Sequence, residues 1–353
     1  MIYGNNNHYK IKILTDKGYK YIHNLYPGDK VHDYKSSNYF TVNKIIPIKY
    51  KKICRIEYDD GRSQLIGLND MIYIGNNQIT QLNETLNNIK TDIETHSFEY
   101  KELYNILNPD PYIAGALLIY GNYDTKYISL PMYATKVCEE LAYKYKIQYA
   151  DIIENNQYFF SYHNTENRIT WEEFFPDYKF YAKTLNKDDP IIPYEYQFAS
   201  VNDRRQFVRG VFDAGYDKEY SKYYNMIIHN DENKLKEFQK ILWSLGILSK
   251  IEYIPKYRYN EDNIYASDVT FKRYYQLELI NSFLKDYPGF YFDYDNIINM
   301  IQNHENMIIP IQRYSEYRIK SVKIIGSGVI DNIILDIPNA TYITENYLPR
   351  ISL

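Results

Sequence analysis

Two short segments rich in small residues each carry carboxylates at or near their ends. One runs Pro111-Tyr112-Ile113-Ala114-Gly115-Ala116-Leu117-Leu118-Ile119-Tyr120-Gly121, the other Phe207-Val208-Arg209-Gly210-Val211-Phe212-Asp213-Ala214-Gly215-Tyr216. Asp124, Asp213 and Asp217 lie at or just beyond their ends. Carboxylates are what fixes Mg²⁺ where it activates water against a phosphodiester, although each of these three reads first as a solvated turn residue. Elsewhere the chemistry is sparse. Cys54 and Cys138 stand outside any C-x-x-C or Cys/His spacing, so they read as core residues rather than zinc ligands or a disulfide framework. None of the seven histidines falls at metal-binding spacing, and all read as structural or surface residues.

Positioning the carboxylates falls to two copies of one pattern. Asp110 can cap a helix over 112–120, Pro111 suits its first position, and Gly121-Asn122-Tyr123-Asp124 ends it. A short strand over 127–130 follows, then an amphipathic helix over 134–145 with Val137, Leu141 and Tyr145 on one face. The second copy opens with Ser200 and Asp203 at capping-box spacing before a helix over 204–213. Its strand spans 223–229, and its next helix has Asp231 as cap, Leu235, Phe238, Ile241, Leu242 and Leu245 as apolar stripe, and Gly246 as stop. A hairpin-like stretch over 247–257 and 264–271 and a helix over 275–284, halted by Pro288, complete it. Residues 100–200 and 201–305 therefore repeat one α+β order. Small residues at Ala114, Gly115 and Gly210 let the opening helices approach backbone to backbone about a pseudo-twofold axis, and Gly121 is counted in the same packing motif.

Both ends of the chain read as β structure. Strands are predicted over 11–14, 21–22, 39–48, 53–58 and 63–66, with the turns Asp16-Lys17-Gly18 and Asp59-Asp60-Gly61 and the segment Leu25-Tyr26-Pro27-Gly28-Asp29-Lys30-Val31 between them. The C-terminal stretch adds strands over 319–325 and 329–337, Pro338, and then Ala340-Thr341-Tyr342-Ile343-Thr344-Glu345-Asn346-Tyr347-Leu348-Pro349.

The paired helices, each with a glycine turn, a following strand and an amphipathic helix, resemble the LAGLIDADG motifs of homing endonucleases. The passage over 238–251 resembles that family's helix, glycine and strand step. The terminal strands, their D-G turn and the L-x-x-G-D-x-V segment resemble the Hint domain of inteins. Together the resemblances imply an α+β chain in which a split all-β Hint-like domain, 1–95 and 306–353, flanks a pseudo-twofold two-repeat LAGLIDADG-like domain over 96–305.

The same resemblances imply chemistry that these residues do not match. Acidic metal ligands are implied where Tyr120 and Gly215 stand, a neutral phenol and no side chain at all. Splicing implies an initial Cys or Ser, a Thr-x-x-His pair and a terminal His-Asn. No Cys or Ser lies in 5–9, Gly67-Leu68-Asn69-Asp70 takes the place of the pair, and Pro349-Arg350-Ile351 that of the end, so Gly67, Asp70 and Arg350 mark the lost splicing positions. The chain also runs from its own Met1 to Leu353, which leaves almost nothing to join. No metal or cofactor is expected, and Mg²⁺ enters only if Asp124, Asp213 or Asp217 has taken over ligation.

Composition narrows the partners. The 353 residues suffice for two or three domains, and 45% hydrophobic with 24% charged residues is ordinary for a soluble protein. No apolar run suits a membrane span and no basic leader precedes one, so a cytoplasmic or virion location is expected. The 43 tyrosines accompany abundant Ile, Asn and Lys, a bias typical of an AT-rich genome, and do not read as a stacking platform. A net charge of −4 and a pI near 6.0 lack the basic excess of a duplex clamp. The runs Arg204-Arg205…Arg209 and Lys250…Lys256…Arg258 read as solvated faces. Caps, patterned strands and turn glycines are nonetheless kept throughout, as in a fold still in use. The function expected is that of a domesticated, catalytically inactive intein-like and homing-endonuclease-like protein. It would be a structural or interaction component with protein partners in a larger assembly such as a phage or virus particle. The alternatives are a free-standing LAGLIDADG endonuclease making site-specific double-strand breaks with Mg²⁺, and a duplex DNA binder that does not cut.

Overall fold

The computed structural model describes residues 7–36, 38–74, 79–85, 98, 100, 107–122, 126–132, 134–152, 157–162, 167–176, 191–215, 226–254, 274–279 and 319–353. They belong to two units, one of Met1–Glu99, Gly246–Leu248 and Ile280–Leu353, the other of Tyr100–Leu245 and Ser249–Leu279. No helix among the described residues is long and apolar enough to cross a membrane.

The first unit begins with β1 (His8–Tyr9), β2 (Lys12–Thr15), β3 (Gly18–Tyr21), β4 (Lys30–His32), β5 (Tyr39–Tyr58), β6 (Ser63–Gly67), β7 (Met71–Tyr73), β8 (Ile79–Gln81) and the single turn α1 (Leu82–Thr85).

The second unit then contributes α2 (Pro111–Tyr120), β9 (Ser129–Pro131), α3 (Thr135–Tyr145), β10 (Ile147–Ile152), β11 (Gln157–Tyr162), α4 (Trp171–Phe174) and α5 (Tyr194–Gln197). It continues with α6 (Val201–Gly215), β12 (Met226–His229), α7 (Glu232–Ser244), β13 (Ser249–Ile254) and β14 (Tyr274–Leu279). Asp110 caps α2 by accepting from Tyr112 N at 3.1 Å, and Asp231 caps α7 through Asn233 N at 2.8 Å, each satisfying donors a helix start leaves open. Every residue of α2 is buried, which explains why it is apolar on all sides. The repeat is visible in connectivity. In the sheet β9-β11-β10 and again in β12-β14-β13, the last strand in sequence lies between the first two and pairs antiparallel with both.

Two sequence expectations are corrected in this unit. Residues 274–279 form a strand instead of opening a helix. Tyr-Tyr-Gln-Leu-Glu-Leu is too short to separate a period of 2 from one of 3.6, and the ladder decides: Leu277, fully buried, pairs with Ile227 on one side and Ile251 on the other. The predicted strand over 264–271 lies outside the described residues. Helix α6 starts at Val201, three residues before the predicted 204, because Ser200 Oγ accepts from Asp203 N at 3.1 Å and so is itself the cap.

The chain returns to the first unit with β15 (Ile319–Leu335), β16 (Thr341–Ile343) and β17 (Pro349–Ile351). Its sheet runs β1-β15-β5-β4-β2-β3, with β6 added on β5. The strands expected as separate pieces over 39–48 and 53–58, and over 319–325 and 329–337, are continuous. β5 and β15 pair from Tyr58↔Ile319 to Val42↔Leu335, and the apparent breaks are bulges: Tyr50 pairs with Gly328 but Ile53 with Gly326, three steps against two. Ile13, Ile22, Leu25, Val31 and Val42 share one core with Ile333, Leu335, Ala340 and Tyr342. Burying each such side chain contributes about 1.5–3 kcal/mol, so the two ends of the chain stabilise a single unit jointly.

Candidate functional site

Helices α2 and α6 cross where neither has a side chain. A Cβ on Gly115 would overlap the carbonyl oxygen of Phe207 and stand 2.9 Å from its carbon; one on Gly210 would overlap that of Tyr112, 2.7 Å from its carbon. Each glycine meets the residue three positions before the other. Such reciprocity is what a local twofold axis produces. Ala114 is fully buried. Gly121 takes a different role from the one expected, because a Cβ there would strike the Trp171 ring, whose Nε1 donates to Asn122 O at 3.3 Å.

At the C-terminal ends of these helices Tyr120 and Gly215 come together. The phenol of Tyr120 lies over Gly215, where an added Cβ would be 2.6 Å from Cζ of the ring. The same ring meets His229 edge-on, with centroids 5.6 Å apart. Lys234, only 7% exposed, donates to the carbonyls of Ile119 at 2.9 Å and Gly121 at 3.3 Å. An ammonium thus answers carbonyls that a helix C-terminus leaves open and complements its dipole. Burial, and then the charge of Lys234, lower the pKa of His229 to about 4, so the ring is neutral at pH 7, and its Nδ1 accepts from Asp231 N at 2.8 Å.

The described residues there supply a phenol, a neutral imidazole and a cation, and among the described residues no three His, Cys, Asp or Glu are grouped to hold a metal. Asp213 is not the solvated turn residue expected. Because α6 extends to Gly215, Asp213 sits within its last turns, 6% exposed, accepting from Tyr112 Oη at 2.7 Å with Arg209 Nε at 3.7 Å. Asp124 and Asp217 lie outside the described residues. Arg204 of the arginine run does not belong to a solvated face: it is fully buried, donating to Ala199 O at 3.0 Å and Ser244 O at 2.9 Å, over the ring of Tyr100. Lys250 is ion-paired with Glu252.

In the first unit, Gly67, Asp70 and Arg350 converge through two further residues. Arg350 can only donate. Its Nη2 reaches Asn332 Oδ1 at 2.9 Å, Asn332 Nδ2 donates to Tyr50 Oη at 3.1 Å, and the Tyr50 hydroxyl donates to Asp70, which also accepts from Gly67 N at 3.0 Å. The relay draws on β17, β15, β5 and the turn after β6. Burial raises the pKa of Asp70 above the usual carboxylate range, against the pull of the Tyr50 hydroxyl and the Arg350 charge. Burial and the nearby Asp70 charge push Tyr50 up as well, keeping its phenol protonated. A Cβ on Gly67 would collide with the Tyr50 ring and lie 3.0 Å from Asp70 Oδ1. The C-terminal segment is fastened along β6 by Arg62 Nη1 to Tyr347 O at 3.1 Å, Asn346 Nδ2 to Ser63 O at 2.8 Å and Arg350 Nη1 to Leu65 O at 2.8 Å.

Sequence reasoning passed over Tyr50, Asn332, His229 and Lys234. Two of them left a signal. Asn332 interrupts the apolar run Val329-Ile330-Asp331-Asn332-Ile333-Ile334-Leu335, and Lys234 precedes Leu235 and lies four residues before Phe238, on the buried side of α7. Tyr50 and His229 left none, since their neighbours come from distant strands or helices.

No protein-family model matches the chain, and no curated protein matches it. Among solved structures it is similar to the gp41-1 intein at 20% identity, over 24% of this chain and 64% of that one, with a TM-score of 0.22; the match thus spans less than two thirds of the intein. It is also similar to I-DmoI in complex with DNA and Ca at 13% identity, over 50% of this chain and 86% of that one, with a TM-score of 0.28. Mesophilic variants of the homing endonuclease I-DmoI give 13% identity, 50% and 93% coverage and a TM-score of 0.27. All are partial likenesses.

Proposed function

We propose that this chain is an intein-like and homing-endonuclease-like protein that neither splices nor cuts DNA and acts as a structural or interaction component of a larger assembly such as a virus particle. One observation carries the reading: at Gly67 and at Gly215, each standing where the family resemblance implies a catalytic side chain, a tyrosine ring of the chain itself fills the space. Tyr50 lies where a β-branched residue would need room, and Tyr120 where a carboxylate would need to reach a metal. Each missing metal ligand costs about 4 kcal/mol of transition-state stabilisation, roughly a thousandfold in rate. Tyr50 is no substitute catalyst, for its phenol stays protonated at neutral pH. The surrounding bonds instead fasten helix ends and the C-terminal segment.

A direct check embeds the full chain between two foreign folded domains and follows intact mass over time. The reading expects one unchanged polypeptide. Ligated flanks, or release at either junction, would overturn it.

A further inference from the structure

The overall negative charge conceals a strongly basic ribbon in the first unit. Along Asn43–Arg55 of β5 and Lys320–Gly328 of β15 stand Lys44, Lys49, Lys51, Lys52, Arg55, Lys320 and Lys323, all exposed, and no carboxylate. Lys323 pairs with Glu57 just beyond the stretch, at 2.9 Å. None of the other six is ion-paired with a carboxylate among the described residues. The chain as a whole carries −4, so these cations are segregated rather than part of a general excess.

Lysines on open strand edges commonly serve to block edge pairing. That role needs one or two, and Pro47 already interrupts the β5 edge here. The ribbon instead concentrates its charge. The bulge between Tyr50 and Ile53 breaks the alternation, leaving the consecutive Lys51 and Lys52 both exposed. Arg55 and Lys323 are direct cross-strand partners, and Glu57 beside them answers both charges, so the cations left open to an outside anion are those on the β5 side of the ribbon. Lys49 and Lys51 are spaced about 7 Å apart, twice the roughly 3.4 Å axial step between phosphates of one DNA strand. A two-stranded ribbon is also a shape that the major groove of a duplex admits.

We infer that the β5/β15 ribbon is a docking surface for duplex nucleic acid, bound through its phosphates without base-specific readout. The inference rests on the proposed function only in taking the chain to act by binding. Full-length protein is titrated into a fluorescently labelled mixed-sequence DNA duplex at 50–300 mM salt, read by anisotropy. Affinity is expected to fall steeply with salt. The variant Lys49→Gln/Lys51→Gln/Lys52→Gln/Arg55→Gln should bind at least about tenfold more weakly and lower the log–log salt slope by about 3 to 4, near 0.9 for each phosphate left without its cation. Because these side chains are exposed, its circular dichroism should be unchanged; if it is not, Lys44→Gln/Lys320→Gln replaces it, with a proportionate loss expected. Lys236→Gln on α7, also exposed, should leave binding unaltered. Absence of binding at 50 mM salt, equal binding by the ribbon variants, or tighter binding to anionic vesicles or to an acidic peptide would overturn the inference while leaving the non-catalytic reading intact. Specific cleavage of the duplex would overturn that reading while leaving the ribbon intact.

Discussion

At Gly67 and at Gly215 a tyrosine ring lies over a glycine, yet the two surroundings are built in opposite ways. Around Gly67 a directional relay runs from a buried guanidinium through Asn332 and Tyr50 to a carboxylate, so anion and cation sit at its two ends. Around Gly215 there is no such relay: a neutral imidazole and a buried ammonium stand beside the ring, the ammonium is balanced by helix carbonyls, and the Asp231 carboxylate acts on the imidazole through its charge. The first arrangement ties three strands and the turn after β6 together across the length of the sequence. The second closes one end of a helix pair whose alignment is set by backbone contact. One device, a ring over a glycine, therefore serves strand assembly in one unit and helix termination in the other, and the two should respond differently to substitution and to pH.

The largest effect is expected at the helix crossing. Gly210→Ala forces a methyl against the Tyr112 carbonyl, backbone that cannot rotate away, and should destabilise the second unit by about 3 kcal/mol or somewhat more in denaturant unfolding, the upper end of what overpacking costs. Acid should act next. The folded-state pKa of His229, about 4, lies below its unfolded value of 6.5, so its contribution is fully present above pH 6.5 and is lost as pH falls to about 4. The second unit should lose about 3 kcal/mol over that window, and His229→Gln should flatten the dependence if the contrast with the first unit is right. Arg350→Met, which strands Asn332 Oδ1 and Leu65 O, should cost the first unit about 2 kcal/mol. Smallest is Tyr50→Phe, at about 1 kcal/mol, which keeps the ring over Gly67 but cuts the relay; a loss as large as that of Arg350→Met would mean that the hydroxyl, rather than the guanidinium, organises the site.

Much of this architecture was legible because local rules sufficed. Asp110, Asp231 and Gly246 announced helix ends, and the two glycine segments announced the crossing that Gly115 and Gly210 make. What escaped depended on partners far away in sequence. Residues 274–279 are a strand only because Ile227 and Ile251 flank Leu277, and β5 is continuous only because β15 accommodates its bulge. Gly67, Asp70 and Arg350 could be picked out singly, but nothing local indicates that Tyr50 and Asn332 connect them. Charge misled in a similar way: a whole-chain pI averages the lysines of the ribbon against carboxylates elsewhere, and Arg204, first of the arginine run, proved to be core packing.

Whether the rings over these glycines mark a chain used for binding rather than chemistry is decided at the helix ends. Full-length protein is incubated with a randomised duplex library and Mg²⁺, and newly formed ends are sequenced. No recurrent double-strand break above the protein-free background is expected. A recurrent site-specific break, abolished by Asp124→Asn or Asp217→Asn, would contradict the non-catalytic reading.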